Sequence, residues 1–333
     1  MMQEEYRANS KRYEEGISFK RCGNSGIVLP RLSLGMWHNF GSVDSLHNAT
    51  KIARHAFDNG ITHFDLANNY GPTFGSAEEN LGRMIKRDFK PYRNELVIST
   101  KAGHLMWPGP YGDGGSRKYL ISSLDDSLKR MSLDYVDIFY IHRLTPETPL
   151  EETMQALVDI VRQGKALYVG ISKYPPAILD RAIAFLKDQN VPCLVSQDKY
   201  NMMVRDVENG VLDCCTKNGL GFVAFSPLAQ GILTNKYING IPKGSRASRP
   251  ESFLKAEQVT PELIEKIIKL NNIANQRGQT LAQMAISWVV RNEQVTSAII
   301  GASSTEQIDD NLAALDNLNF SSEELQLIDS ITK

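Results

Sequence analysis

What this sequence has little of already narrows its function. No apolar run approaches the ~20 residues that a membrane-spanning helix needs, and residues 1–20 are charged and lack the apolar core of a signal peptide. The 37 Lys and Arg residues nearly balance the 38 Asp and Glu residues, and no basic block interrupts them. We therefore expect neither a membrane nor a nucleic-acid partner.

Cysteines and common nucleotide motifs are also scarce. The four cysteines, Cys22, Cys193, Cys214 and Cys215, form neither a CxxC pair nor the spacing of a disulfide framework. We expect reduced thiols in a cytoplasmic protein. A G-x-G-x-x-G segment after a strand and a Walker A motif are missing as well, so nothing supports a Rossmann or P-loop nucleotide site.

The strongest positive signal is alternation, because short apolar, β-branched runs are each followed by a longer stretch with helical periodicity. The predicted strands are Leu32–Gly35, Thr62–Ala67, Leu96–Lys101, Val136–His142, Tyr168–Ser172, Leu194–Tyr200, Phe222–Pro227 and Ser297–Ala302. The predicted helices include Asp44–Asn59, Ala77–Arg87, Arg117–Arg130, Glu151–Gln163, Pro175–Lys187, Asp206–Asn218 and Ser321–Thr332. Strand–helix alternation implies parallel strands joined by crossovers. Residues 1–333 are thus predicted to form one α/β domain, a (β/α)8 TIM barrel.

Two stretches interrupt this rhythm. Residues 16–30 predict a β-hairpin with strands Ile17–Lys20 and Ile27–Leu29, which follows an N-terminal extension of residues 1–15. Residues 228–258, rich in Gly, Pro, Ser and Arg, predict a long loop after strand seven, and loops of this length are usually either functional or disordered. Among the helix termini, Asp44 and Ser122 are predicted N-caps, and Gly60, Gly164 and Gly219 are predicted helix ends.

Reactive side chains gather at one rim of the predicted barrel, the C-terminal ends of the strands, where such barrels carry their active sites. Strand two ends near Asp65, with Tyr70 in the next loop, and strands three and four end at Lys101 and His142. Polar residues also end the later strands, namely Ser172, Gln197, Ser226 and the run from Gly301 to Ser303.

The first four of these residues indicate proton transfer. A free phenol has a pKa of about 10, too high for a well-matched acid near neutrality. The Lys101 ammonium would favour phenolate and lower the pKa of Tyr70, while Asp65 would hold Lys101 charged and oriented. His142 could donate a hydrogen bond to a developing alkoxide. Because no side chain can deliver the electrons of a reduction, a cofactor is implied.

Taken singly, each residue also has a purely structural interpretation. Lys101 and Asp65 could form a simple ion pair, Tyr70 could pack a loop, and His142 could be a satisfied strand histidine. The aromatic segment His104–Ser116 could merely cover the barrel mouth. Their convergence on one rim favours catalysis.

Several motifs carry a resemblance to a known family. They are Gly60–Gly71 (GITHFDLANNYG), Ser76–Gly82 (SAEENLG), Ser99–Lys101 (STK), Tyr135–Arg143 (YVDIFYIHR), Lys165–Ser172 (KALYVGIS), Phe225–Gly231 (FSPLAQG) and Ile300–Gln307 (IGASSTEQ). From about residue 16 onward the chain resembles the aldo-keto reductases, in the branch of the potassium channel β subunits and the bacterial L-glyceraldehyde-3-phosphate reductases. Met36–Gly41 (MWHNFG) and Trp107–Lys118 (WPGPYGDGGSRK) look closest to the bacterial enzymes.

The resemblance implies a catalytic tetrad of Asp65, Tyr70, Lys101 and His142. It also implies a bound dinucleotide, with contacts from Trp37, Asp65, Ser172, Gln197, Phe225, Ser226, Pro227, Leu228 and Gln230. On the nucleotide side the implied contacts are Lys236, Arg246, Gly301, Ser303, Gln307, Asp310 and Asn311; Asp310 stands where the branch usually has glutamate. Arg246 could bind a phosphate bidentately, which favours NADP(H) over NAD(H).

The expected substrate is a small, polar aldehyde or ketone, such as L-glyceraldehyde 3-phosphate or a methylglyoxal-like carbonyl compound. Arg117, Lys118 and Arg143 near the predicted mouth motivate a phosphorylated substrate, although they could equally be solvated surface. The residues expected to contact the substrate are Trp37, Tyr70, Trp107, His142 and Arg143.

Other functions stay open at this point. One is an NADPH-binding, redox-sensing regulatory subunit with slow turnover; the channel subunits carry asparagine where this chain has His142, which favours an enzyme. Another is a Schiff-base aldolase that uses Lys101, although Asp65 disfavours the neutral amine. A metal-dependent hydrolase is weaker, because only His63 and Asp65 lie close together and no metal is predicted. The sequence also leaves a homo-oligomer open.

Overall fold

The structure is a computed structural model that describes residues 5–14, 17–248 and 253–333. Residues 1–4, 15–16 and 249–252 lie outside the described residues, and they belong to the predicted N-terminal extension, the predicted hairpin stretch and the predicted long loop. Within the described part of the chain, no helix is long and apolar enough to cross a membrane. The four cysteines are free thiols, as predicted, and all four are buried.

Eight parallel strands, each paired with the next one along the chain, close into a barrel because the last strand also pairs with the first. They are β3 (Leu32–Gly35), β4 (His63–Asp65), β5 (Val97–Ala102), β6 (Val136–Ile141), β7 (Ala166–Ser172), β8 (Cys193–Lys199), β9 (Gly221–Phe225) and β10 (Ser297–Ile300). Each coincides with a predicted strand to within a few residues. The predicted TIM barrel is confirmed.

Ten α-helices accompany the strands in the described residues. They are α1 (Leu46–Asp58), α2 (Ser76–Met84), α3 (Arg117–Met131), α4 (Leu150–Arg162), α5 (Pro176–Asp188), α6 (Val211–Asn218), α7 (Pro261–Gln276), α8 (Leu281–Val290), α9 (Thr305–Leu312) and α10 (Ser322–Thr332). The predicted helix Asp206–Asn218 is wrong as one element. Gly210 adopts a left-handed φ of 107° and separates a 3-10 turn, Asp206–Glu208, from α6.

Both predicted N-caps are wrong. Ser45 caps α1 by accepting a hydrogen bond from the Asn48 N–H, whereas the Asp44 carboxylate accepts the Gly41 N–H in the preceding loop. Ser116 caps α3, and Ser122 lies inside that helix with its hydroxyl bonded to the Lys118 carbonyl. Ser and Asp accept backbone hydrogen bonds in turns as well as in caps, so residue type alone does not fix the position.

A β-hairpin precedes the barrel, with β1 (Phe19–Arg21) antiparallel to β2 (Val28–Pro30). These strands start one or two residues later than predicted. Cys22 and Leu29 of the hairpin pack against side chains of the barrel strands, including Ile138, Leu194 and Val223. The hairpin therefore contributes to the core. It precedes the first barrel strand, so it is not one of the loops that follow the strand ends where catalytic groups gather.

The stretch after β9 is less irregular than its composition suggests. Four short 3-10 turns lie within it, at Ala229–Gly231, Asn235–Tyr237, Arg246–Ser248 and Ala256–Gln258. Tyr237, Ala247 and Leu254 form a small apolar cluster of their own. The described part of this loop is thus packed, which suits a segment that must hold a ligand in a fixed position.

Candidate active site

The barrel brings the four predicted catalytic residues together at one rim. Asp65 ends β4, Lys101 lies near the end of β5, and His142 directly follows β6. Tyr70 lies in the loop between β4 and α2. These strands are neighbours in the barrel, so their C-terminal ends place the side chains side by side.

Asp65 and Lys101 form a buried ion pair. Lys101 Nζ lies 2.6 Å from Asp65 Oδ2 and donates a second bond of 2.6 Å to the Leu66 carbonyl. Asp65 Oδ1 accepts hydrogen bonds from Ser99 Oγ at 2.8 Å and Gln197 Nε2 at 3.0 Å. Burial lowers the pKa of Lys101, and the Asp65 carboxylate opposes that shift. Lys101 is fully buried, and its two hydrogen bonds fix the direction of its ammonium.

A chain of hydroxyl groups and one imidazole supports Asp65 from inside the barrel. Ser99 gives its only hydroxyl proton to Asp65, so Ser99 Oγ must accept from His63 Nε2, 2.9 Å away. His63 Nδ1 then accepts from Ser33 Oγ at 2.8 Å, and Ser33 in turn accepts from Ser297 Oγ at 2.6 Å. Burial lowers the pKa of His63 to about 4, so the ring is neutral at pH 7.

With both ring nitrogens of His63 bonded to serines, no lone pair remains for a metal ion. Among the described residues, no group of three His, Cys, Asp or Glu side chains could hold one. The metal-dependent hydrolase is therefore disfavoured by the hydrogen bonding of His63 itself.

Two rings and one ammonium group surround the Tyr70 ring. Trp37 stacks on Tyr70 with centroids 5.8 Å apart, and His142 meets Tyr70 edge-to-face at 5.8 Å. Lys101 Nζ lies 5.1 Å from the centre of the Tyr70 ring. All four predicted catalytic residues are thus within one small cluster, together with Trp37.

The titration of Tyr70 differs from the sequence-based expectation. Desolvation raises the pKa of Tyr70 well above its ordinary value, and the Asp65 carboxylate raises it further. The expected net lowering of this pKa by Lys101 is wrong, because the charge of Lys101 is compensated by Asp65 at 2.6 Å. For His142, burial and the nearby Lys101 and Lys173 cations lower the pKa well below its ordinary value. Near neutrality the site holds a neutral phenol beside a neutral imidazole.

The predicted nicotinamide-side residues lie at the ends of β7, β8 and β9. Ser172 pairs with Gln197 across the two strands, and the Ser172 hydroxyl is buried without a hydrogen-bond partner among the described residues. Gln230 Oε1 is likewise buried without a hydrogen-bond partner among the described residues. The backbone of Ser226 and Gln230 is left-handed, with φ of 56° and 61°. Phe225, Ser226, Pro227 and Leu228 connect these positions along the rim.

The predicted nucleotide-side residues lie around β10 and α9. Gly301 is exposed, and a Cβ added to it would lie 3.8 Å from Arg246 Nη2, so the Arg246 side chain reaches this backbone. Ser303 and Gln307 bond to each other, with Ser303 N 2.8 Å from Gln307 Oε1. The remaining predicted residues are Asp310, whose carboxylate accepts a 2.7 Å bond from Gln283, Asn311, which is buried, and Lys236, which is exposed.

The predicted substrate-side residues separate into two groups. Trp37 and His142 contact Tyr70, whereas Trp107 packs on Tyr119, 5.8 Å between centroids, and not on a tetrad ring. The basic side chains suggested for a phosphate are engaged elsewhere. Arg117 pairs with Asp159, Arg143 pairs with Asp113 at 2.8 Å, and Lys118 lies over the Tyr111 ring.

Two functional candidates escaped the sequence analysis. His104, the first residue of the aromatic segment after β5, packs edge-to-face on His142 with centroids 4.4 Å apart. Lys173, the residue after Ser172, places its Nζ 3.4 Å from His104 Nε2. The position of each just beyond a strand end was a usable signal. The segment that begins at His104 was interpreted only as a possible cover of the barrel mouth, and the quoted motif Lys165–Ser172 ended one residue before Lys173.

Comparison with known proteins agrees with this geometry. A model of the Aldo/keto reductase family matches residues 31–333. The chain is 54% identical over 328 residues to L-glyceraldehyde 3-phosphate reductase of Escherichia coli strain K12, covering 97% of this chain and 94% of that protein. The protein of the same name from Escherichia coli O157:H7 matches equally well. A probable voltage-gated potassium channel subunit beta of Arabidopsis thaliana is 37% identical over 306 residues, 90% of this chain and 92% of the relative. The chain belongs to the aldo/keto reductase family.

Proposed function

We propose that this oxidoreductase uses NADP(H) to reduce a small aldehyde or ketone, with Tyr70 as general acid. The observation that carries the proposal is the contact of Tyr70 with both Trp37 and His142, with Nζ of the buried Asp65–Lys101 pair 5.1 Å from the centre of the Tyr70 ring. L-Glyceraldehyde 3-phosphate is the first substrate to test, because it names the enzyme that is 54% identical. Methylglyoxal-like carbonyl compounds are the next.

The residues present suit a nicotinamide dinucleotide. The buried Ser172 hydroxyl and Gln230 Oε1 have no partner among the described residues, which indicates that a ligand completes them. Ser172, Gln197, Trp37 and the run from Phe225 to Leu228 would hold the nicotinamide half. Lys236, Arg246, Gly301, Ser303, Gln307, Asp310 and Asn311 would hold the nucleotide half. When bound, the nicotinamide supplies the hydride.

The protein's own part is to bind the carbonyl oxygen and give it a proton. The phenol of Tyr70 is protonated near neutrality, because desolvation raises its pKa. Its O–H donates first a hydrogen bond and then the proton to that oxygen. The neutral imidazole of His142 adds an N–H donor and stabilises the charge that develops on the oxygen. Lys101 and Asp65 hold a fixed dipole beside the phenol and are not consumed.

The preference for NADP(H) over NAD(H) rests on Arg246. Its guanidinium reaches the exposed backbone of Gly301, where a phosphate can approach closely. Arginine binds phosphate through parallel N–H bonds, and NADP(H) has one more phosphate than NAD(H).

A regulatory function is the second candidate, and the 37% identical channel subunit favours it. It predicts NADPH binding with slow aldehyde turnover. The Schiff-base aldolase is disfavoured, because Lys101 Nζ already donates to Asp65 Oδ2 and to the Leu66 carbonyl at 2.6 Å each. Both bonds stabilise the ammonium, which is not nucleophilic.

The proposal is tested by NADPH oxidation across an aldehyde panel with wild type and Tyr70→Phe. We expect kcat to fall by at least about 100-fold, the lower end of general-acid contributions. The dissociation constant of NADPH, measured by fluorescence quenching, should change less than about 2-fold, because the hydroxyl acts on the carbonyl. Tyr111→Phe, at an exposed tyrosine, is the matched control and should behave as wild type. Near-normal kcat in Tyr70→Phe would show that the proton comes from another group.

A further inference from the structure

Lys173 has an unusual backbone for a lysine. It follows Ser172 at the end of β7 and adopts a left-handed φ of 58°, and its N–H donates to the Gln197 carbonyl at 3.2 Å. Left-handed residues other than Gly are uncommon, because the Cβ crowds the following carbonyl. The chain therefore turns sharply at the end of β7, and the Lys173 side chain takes a direction that a continued strand would not allow.

The Lys173 ammonium lies close to the cluster around Tyr70. Its Nζ is 3.4 Å from His104 Nε2 and 5.7 Å from the centre of the Phe225 ring. His104 packs on His142 at 4.4 Å, and His142 packs on Tyr70 at 5.8 Å. Three successive contacts thus connect the proposed proton donor with this ammonium.

Charge compensation sets Lys173 apart from its neighbours. Lys101 pairs with Asp65, and Arg143 pairs with Asp113. No carboxylate of the described residues forms an ion pair with Lys173. Asp198 attracts it from a greater distance, but the Asp198 carboxylate accepts the Lys199 N–H at 2.7 Å. A half-buried charge without an oppositely charged partner is unfavourable, and an anionic ligand would relieve it.

The titration of the cluster agrees with an excess of positive charge. Burial, with Lys101 and Arg143 adding to it, lowers the pKa of Lys173 to about 8, and Asp198 opposes the shift. The pKa of His104 falls to about 4 through burial and the same kind of cationic surroundings. His104 is therefore neutral at pH 7, and its Nε2 accepts from the Lys173 ammonium.

We propose that Lys173 binds the phosphate of a short phosphorylated aldehyde whose carbonyl oxygen faces Tyr70 and His142, with His104 as the positioning residue. This inference rests on the proposed reductase function and assigns its substrate class to a specific side chain. It replaces Arg117, Lys118 and Arg143, which the sequence suggested for the same task and which have other partners in the structure.

The test compares two aldehydes that differ only in the phosphate, L-glyceraldehyde 3-phosphate and L-glyceraldehyde. In Lys173→Met, kcat/KM for the phosphorylated aldehyde should fall about 10- to 100-fold, the factor expected for one lost hydrogen bond to a charged group. For L-glyceraldehyde it should change less than about 3-fold, and Lys173→Arg should restore part of the loss. Lys118→Met is the matched control, because Lys118 lies over Tyr111, and it should leave both values unchanged.

Binding separates this inference from the reductase function. Glycerol 3-phosphate carries the anion but no carbonyl, and calorimetry on the NADP+ complex should show weaker binding to Lys173→Met than to wild type. If that loss occurs while wild type reduces neither aldehyde, the anion site stands and the reductase function falls. Equal binding to both proteins, or a tenfold weaker NADPH affinity in Lys173→Met, overturns the anion site.

A pH profile supplies an independent readout. The charged and titratable groups near Lys173 are Lys101, Arg143, Asp198 and His104, and the pKa of His104 falls to about 4, far below the pH range of this test. The ammonium is present below about pH 8 and is lost above it. The ratio of kcat/KM for the phosphorylated over the plain aldehyde should fall between about pH 7 and 9, since the substrate phosphate is already a dianion there. A flat ratio in wild type contradicts the assignment.

Discussion

The two sides of the barrel rim differ in how fully their polar groups are satisfied. On the side of β4 and β5, Asp65 accepts from three side chains and Lys101 donates to two acceptors. On the side of β7 and the loop after β9, Ser172 Oγ and Gln230 Oε1 are buried with no partner in the described part of the chain. The network around Asp65 and Lys101 is complete as the protein folds, and we call it the satisfied side. Ser172 Oγ and Gln230 Oε1, which we call the open side, have room for a ligand's hydrogen bonds.

This difference predicts two different consequences when a polar side chain is removed. A group on the satisfied side leaves its partner unpaired when it is removed, so the folded state is destabilised. A group on the open side has no protein partner to lose, so its removal weakens ligand binding and leaves folding nearly unchanged. Removing one polar side chain should therefore destabilise the folded state on the satisfied side and weaken ligand binding on the open side.

The largest effect is expected at Lys101. Lys101→Met leaves the Asp65 charge buried and unpaired, so the free energy of unfolding should fall by about 3–5 kcal/mol in urea titrations. The double variant Asp65→Asn with Lys101→Met should recover most of that loss. Lys129→Met removes an exposed ion pair with Asp126 and should cost under about 1 kcal/mol. A small loss for Lys101→Met would contradict the description of this side as satisfied and buried.

An intermediate effect is expected at Arg246, in the loop after β9. In Arg246→Gln, the ratio of kcat/KM with NADPH over NADH should fall by about 10- to 100-fold, because a charge-assisted phosphate contact is lost. Lys243→Gln, at an exposed lysine of the same loop, is the control and should leave the ratio unchanged. An equal loss for both cofactors would place Arg246 away from the phosphate that distinguishes them.

The smallest effect is also the most direct comparison. Ser172→Ala should weaken NADPH binding by about 1 kcal/mol and leave the free energy of unfolding unchanged. Ser99→Ala should instead lower the free energy of unfolding by about 1–3 kcal/mol, because Asp65 and His63 each lose a partner. Chemical denaturation and fluorescence titration of both variants measure the two quantities. If both serines affect the same quantity, the two sides of the rim do not differ as described.

Much of the fold could be predicted from the sequence, because every barrel strand is a short apolar run and every crossover is long enough for a helix. Positions that depend on backbone conformation could not. The N-caps at Ser45 and Ser116 were missed, and Gly210 divides a stretch that reads as a continuous helix. Such errors concern local hydrogen bonding, which several residue types satisfy equally well.

The residues that cluster in the candidate site could be predicted from the sequence, but their pKa shifts could not. Asp65, Tyr70, Lys101 and His142 were identified, and the structure places them in contact. The upward shift of the Tyr70 pKa was not foreseen, because desolvation depends on packing that residue spacing does not reveal. Lys173 was overlooked for the same reason, since its importance comes from a left-handed turn and from the absence of an ion-pair partner among the described residues.

The hydrogen-bonded chain from Ser297 through Ser33, His63 and Ser99 to Asp65 runs in one direction only. Each member gives its proton toward Asp65, so exchanging any member for an apolar residue leaves a neighbour unsatisfied. These positions can therefore be redesigned only as a set, whereas Ser172 and Gln230, whose Oγ and Oε1 have no partner among the described residues, can be varied one at a time. Efforts to change the cofactor or substrate of this enzyme should leave the interior chain intact and vary the open side of the rim.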